Sequence, residues 1–164
     1  RYPFLPRQFS YIDSLTIGIP AFFLALWPNP RRYVPGFLGR TLSLAMPTGF
    51  ILAAAALTAF GIVDGPPQAR ESTAAILSLM SGAIWLLVIT SRPLSTWKWV
   101  LLICVTSATI GGVFIPPVFH FFSMVTPSLN EWLVIGCVGA SAAALIEVAQ
   151  RIFYARQFAR SLQD

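Results

Sequence analysis

A carboxylate and a proline share one apolar run: Asp13 and Pro20, in FSYIDSLTIGIPAFFLALWPN, residues 9–29. On a helix, Ser10, Asp13, Ser14 and Ile17 fall on one face by i+3 and i+4 spacing, with Thr16 beside them. A charge in hydrocarbon costs about 2.5–3.5 kcal/mol even on the lenient insertion scale, so an ionisable residue inside a membrane span marks a functional site by default. Pro20 has no N–H and its ring opposes the carbonyl of Thr16, which predicts carbonyls near Thr16, Ile17 and Gly18 without intrahelical donors. A carboxylate, a hydroxyl and freed carbonyls are hard oxygen ligands of the kind that Ca²⁺ and Mg²⁺ prefer. Transporters use such a helix break, here Gly18 to Pro20, to coordinate cations with unwound backbone. The alternative is a proline kink absorbed by neighbouring helices, with Asp13 snorkelling or paired with Arg7.

The other groups with chemical potential are weaker candidates. Glu147 is followed four residues later by Arg151, the favourable order for a structural ion pair near a helix end. His120, the only histidine, has no second ligand at metal spacing and reads as an interfacial packing residue. Cys104 and Cys137 lie within apolar runs and read as small packing residues. Motifs for phosphate loops, nucleophilic triads, zinc or dinucleotides are absent, so no catalytic residue is assigned.

The elements that must position Asp13 are apolar helices. Hydrophobic residues make up 56% of the 164 and charged residues 10%, which places the chain in the membrane class. Five runs, at about 9–27, 42–63, 72–90, 97–114 and 132–153, approach or span a hydrocarbon layer about 30 Å thick. The intervening 28–30, 64–67, 91–93 and 116–117 carry turn residues. The runs lack the period-2 alternation of barrel strands, so the expected fold is all-α: a single transmembrane helix bundle of five spans over 1–164. Gly136, Ala140 and Ala144 on the last span, and Ala53 to Ala56 on the second, are the expected packing surfaces. The aromatic segment 117–132 is expected to lie along the outer interface.

The net charge of +5 comes from eleven scattered basic residues that form no face suited to nucleic acid. They fit a topology signal instead. With the amino end outside, Arg31, Arg32, Arg40, Arg92, Lys98, Arg151, Arg156 and Arg160 are cytoplasmic, as is the carboxyl end; only Arg1, Arg7 and Arg70 face out. Trp97, Trp99 and Trp132 are expected interfacial anchors, with Trp27 assigned the same role. The chain starts at Arg1 and its opening residues do not form a signal peptide, so a piece of a longer protein is expected.

Residues 5–30, LPRQFSYIDSLTIGIPAFFLALWPNP, resemble the sixth membrane helix of cation-transporting P-type ATPases. The pattern Gln-x-x-x-x-Asn/Asp-x-x-Thr-x-Gly-x-Pro-Ala is carried by Gln8, Asp13, Thr16, Gly18, Pro20 and Ala21. The variant LTIGIPAFFLAL, with Pro-Asn after Trp27, is especially similar to bacterial, notably actinobacterial, members of the calcium-pump-like branch. Residues 116–156 resemble the last loop and tenth helix of that family, at Pro117, Phe119, Trp132, Glu147 and Arg151. Five spans beginning outside and ending inside are what the sixth to tenth helices would give.

The resemblance implies the membrane portion of a plasma-membrane pump for a divalent cation such as Ca²⁺. In the family, ATP and Mg²⁺ drive phosphorylation of an aspartate, and cations bind between the fourth, fifth, sixth and eighth helices. Neither Asp-Lys-Thr-Gly-Thr nor Thr-Gly-Glu occurs here, so the cytoplasmic domains and remaining helices of the same pump would be the partners, alongside the cation and the lipid bilayer. Asp13 and Thr16 would be metal ligands, with backbone near Ile17 and Gly18. Animal-type calcium pumps carry a second aspartate after the threonine, where Ile17 stands. The alternative reading is a self-contained five-helix secondary transporter, channel subunit or membrane scaffold.

Overall fold

The computed structural model of the chain describes residues 6–26, 37–63, 68–92 and 95–161. Arg1, Trp27, Arg31, Arg32 and the turns at 28–30 and 64–67 lie outside the described residues. Those described form α1 (Pro6–Asp13), a π turn (Ser14–Gly18), α2 (Ile19–Leu26), α3 (Phe37–Ile62), α4 (Gln68–Thr90), α5 (Thr96–Phe114), α6 (Pro116–Phe121) and α7 (Leu129–Ser161), with no strand among them. α1, the π turn and α2 run on as one span. Five helices are therefore long and apolar enough to cross a membrane: Pro6–Leu26, Thr41–Ile62, Ala69–Thr90, Thr96–Phe114 and Leu129–Phe153. The expected all-α bundle with five spans is what forms.

Helix ends follow local chemistry more than hydropathy. The described part of the first span begins at Pro6. The last opens at Leu129, ahead of its apolar run, because Ser128 and Glu131 build a capping box. Glu131 Oε2 accepts from the Ser128 N–H at 2.6 Å, and Ser128 Oγ accepts from the Glu131 N–H at 3.5 Å. Within the spans, hydroxyls bond backward along their own helix: Thr48 to the Leu44 carbonyl, Thr58 to Ala54, Thr106 to Leu102 and Thr109 to Val105. That satisfies them without water.

α3, α4 and α7 pack tightly against one another and form the body of the bundle. The span in α4 is central: 56% of its apolar window is buried, against 22% in the first, second and fifth spans. Close approach depends on two glycines. A Cβ at Gly82 would stand 2.6 Å from Leu52 Cδ2 and 3.5 Å from Ala142 Cβ, and one at Gly139 would fall on the Ser81 hydroxyl. Ala55, Ala59, Val138 and Ala142 fill the contact between α3 and α7.

The small-residue stripe expected on the last span is not the packing face. Gly136, Ala140 and Ala144 are exposed, and a Cβ at Gly136 would meet nothing within 4 Å. The inward face carries Ile135, Val138, Gly139, Ala142 and Ile146, turned from that stripe by about 140° around the helix. On α3, Ala55 and Ala56 are buried while Ala53 and Ala54 are exposed.

The first span attaches more sparingly. Tyr11, Ile12 and Leu15 join the core cluster with Ala74, Leu77 and Val113. α1 lies against α4 and the π turn against α4 and α5, whereas α2 meets α5 alone among the described elements outside its own span. Even there a groove of about 220 Å³ remains, between Leu15, Ile19 and Phe23 on one side and Trp97, Leu101 and Cys104 on the other. The segment between α5 and α7 folds back over the opposite end, beside α1: Met124 is buried, and Val118, Phe119 and Phe122 pack against the core.

Candidate cation site

Asp13 is the last residue of α1, and the helix around it is divided into two faces. Gln8, Tyr11, Ile12 and Leu15 are buried, whereas Ser10, Asp13, Ser14, Ile17 and Gly18 are exposed. The polar stripe expected from the spacing is therefore the side that no other described helix covers. No hydrogen bond or ion pair engages the Asp13 carboxylate among the described residues, and Arg7 makes none with it.

The interruption at Gly18 and Pro20 takes the form of a π turn. The spacing leaves open an unwound break or a proline kink absorbed by neighbouring helices; the chain stays helical over Ser14–Gly18, and the Ile19 N–H reaches back five residues to the Ser14 carbonyl. A regular α-turn would set the Pro20 ring against the Thr16 carbonyl. Widening the helix by one residue shifts that carbonyl out of line, and Pro20 is buried without breaking the span. Thr16 Oγ1 donates to the Ile12 carbonyl at 2.7 Å, which leaves the hydroxyl oxygen its acceptor lone pairs. Gly18 is not required by crowding: a Cβ there would meet only the Asp13 carbonyl, in ordinary contact at 3.5 Å.

Behind the open face, polar contacts hold α1 in place. The Tyr11 hydroxyl donates toward the Ala108 and Thr109 carbonyls of α5, each at 3.0 Å. Gln8, fully buried, donates from Nε2 to the Ser123 carbonyl at 3.4 Å. Ser123 has φ of 51°, the left-handed conformation that turns the chain after α6. Two residues on, the Val125 N–H donates to Thr73 Oγ1 at 3.0 Å, tying the same segment to α4. Nothing in the sequence pattern marks Tyr11 for this role; a phenol within an apolar run is the sole signal.

Glu147 is held differently. Its Oε1 lies 3.4 Å from Arg151 Nε, the i+4 partner, and 3.6 Å from Arg92 Nη1, at the end of α4. Its Oε2 is buried with no hydrogen-bond partner among the described residues. Lys98 joins the same end, donating to the Ser91 carbonyl at 2.7 Å. At the opposite end Arg70 Nη1 lies 3.6 Å from Glu131 Oε1. Arg92, just after α4, and Arg70, in the first turn of α4, are far from their partners in sequence, so spacing alone does not reveal either pair.

His120 is exposed and rests on the Phe119 ring at 4.3 Å between centroids. Cys104 and Cys137 are free and exposed. Trp132 stacks on Phe114 at 6.2 Å, and Trp97 meets Phe23 edge-on at 6.1 Å. Among the described residues no three His, Cys, Asp or Glu side chains gather to hold a metal ion. Any cation site on Asp13 is thus open on the side facing away from this chain's other helices.

The chain is 31% identical over 153 residues to the calcium-transporting ATPase CtpE of Mycolicibacterium smegmatis, covering 90% of this chain and 19% of that protein. It is 30% identical to the proteins of the same name from Mycobacterium bovis and Mycobacterium tuberculosis, covering 89% of this chain and 19% of each. The chain thus spans about a fifth of the length of these relatives. The resemblance read from its two ends extends over nearly all of it, to actinobacterial calcium-transporting ATPases. No family model and no solved structure matches the chain.

Proposed function

We propose that this chain is the membrane portion of a longer ATP-driven pump for divalent cations, with Ca²⁺ the ion to test first. In this reading the face of the first span carrying Asp13 is one wall of the ion site. One observation carries it: the uncovered face of the first span bears the carboxylate, in a chain similar over 90% of its length to calcium-transporting ATPases. An intramembrane carboxylate turned toward lipid would be costly, whereas one turned toward further helices of the same pump gains a cation and shared ligands.

In this account Asp13 supplies the negative charge and Thr16 an oxygen. The π turn at Ser14–Gly18 supplies backbone whose register can change between inward-open and outward-open states. Gly18 keeps the open face clear for an approaching ion or helix. Ile17 leaves one carboxylate on this face, so the other ligands come from outside this chain. ATP, Mg²⁺ and the phosphorylated aspartate belong to cytoplasmic domains of the same pump. The end bearing Arg92, Lys98 and Arg151 is cytoplasmic and the end bearing Arg7 and Arg70 is external, in the plasma membrane.

The test is Asp13→Asn in the full-length protein, which keeps shape and removes charge. The Ca²⁺ concentration that half-activates phosphorylation from ATP is expected to rise roughly tenfold or more, the loss of one charged contact, with insertion unchanged. Unaltered Ca²⁺ dependence would remove Asp13 from the site and leave the π turn as an accommodated proline.

A further inference from the structure

The two halves of the first span are held unequally, and the division falls at the π turn. On the outer side Tyr11 stands two residues before Asp13, about 3 Å along the helix axis. Its ring packs on Phe122 at 5.0 Å between centroids, and its hydroxyl reaches the Ala108 and Thr109 carbonyls at 3.0 Å. A phenol inside hydrocarbon needs an acceptor, and α5 carbonyls already engaged in their helix still offer a second lone pair. Access to them depends on Gly112. A Cβ there would fall on the Tyr11 hydroxyl and stand 2.9 Å from its Cζ, whereas the neighbouring Gly111 has nothing within 4 Å. On the inner side, α2 meets α5 through the edge-on contact of Phe23 with Trp97, beside a groove of about 220 Å³.

The geometry points to Tyr11 as a positioning residue for the cation site. Its hydroxyl, seated in the notch at Gly112, fixes the outer half of the first span on α5, so that Asp13 keeps its place while α2 shifts about the π turn. Tyr11 touches no ion; it acts through Asp13. The inference rests on the reading of Asp13 as a cation ligand.

The experiment compares Tyr11→Phe, Gly112→Ala, Gly111→Ala and Asp13→Asn in the full-length protein, reading half-activating Ca²⁺ separately from maximal phosphorylation per folded molecule. Tyr11→Phe keeps the ring on Phe122 and loses only the hydroxyl. It is expected to raise half-activating Ca²⁺ about two- to tenfold, the scale of one hydrogen bond, with the maximum retained. Gly112→Ala is expected to do the same or more, and Gly111→Ala to do nothing. A merely structural contact would lower the amount of folded protein and leave the Ca²⁺ dependence of the remainder unchanged; that outcome overturns the inference. If Gly112→Ala does not accumulate, Tyr11→Phe against Gly111→Ala decides alone. A normal Tyr11→Phe beside an impaired Asp13→Asn sinks the positioning role and spares the site. A normal Asp13→Asn sinks the site and the positioning role with it.

Discussion

The helices α3, α4 and α7 and the first span are all apolar enough to cross a membrane, but they are packed differently. In the three-helix body, small residues lie where helices meet: Gly82 against Leu52, and Gly139 against Ser81. Two ion pairs lie at its rims, Arg70 with Glu131 and Arg92 with Glu147. The first span instead presents Ser10, Asp13, Ser14 and Ile17 to no described neighbour, and contains the π turn. The first span thus keeps a polar face that no described helix covers, whereas α3, α4 and α7 bury small residues against one another.

That contrast can be broken from the packed side. Gly139→Ala drives a methyl into the Ser81 hydroxyl and is expected to cost about 1–3 kcal/mol, the usual range for overpacking. Gly136→Ala, three residues earlier on the open face of α7, should leave thermal unfolding in detergent unchanged. Equal effects from the two would mean that the packing face of α7 is misassigned. Ca²⁺ dependence should be untouched in both.

Smaller changes sharpen the same line. Ser128→Ala removes the capping acceptor for the first turn of α7 and is expected to cost about 1 kcal/mol. Chemical denaturation of the full-length protein would read it. Arg92→Ala removes one of two guanidiniums from Glu147, and its side chain is 48% exposed, so water already screens the pair. The expected loss is about 0–1 kcal/mol, with Arg151 remaining as partner. A larger loss would make that rim a structural centre of the bundle.

The sequence already told most of what depends on composition. Hydropathy located five spans because lipid demands long apolar helices, and i+3 and i+4 spacing put Ser10, Asp13 and Ser14 on one face. Spacing cannot say which face of a helix meets a neighbour, since that depends on the rotation of the whole helix. For this reason the stripe at Gly136, Ala140 and Ala144 misled, while Gly139, one residue's rotation away, makes the close contact. The Pro20 interruption was legible as a disturbance, but its form was not: unwinding and a π turn both relieve the clash with the Thr16 carbonyl. Contacts between distant segments, Tyr11 on Ala108 and Arg92 on Glu147, follow from topology and left no mark on local spacing. The Ser128 and Glu131 box, by contrast, has a readable signature and explains why the last helix starts ahead of its apolar run.

In the proposed function Asp13, on the open face, binds the ion and Glu147, at the rim beside Arg92 and Arg151, does not. Equilibrium Ca²⁺ binding to the full-length protein, measured side by side for Asp13→Asn and Glu147→Gln per folded molecule, tests it most directly. Asp13→Asn should weaken Ca²⁺ binding roughly tenfold or more, and Glu147→Gln should leave it within about twofold. Binding retained in Asp13→Asn, or lost in Glu147→Gln instead, would contradict the account.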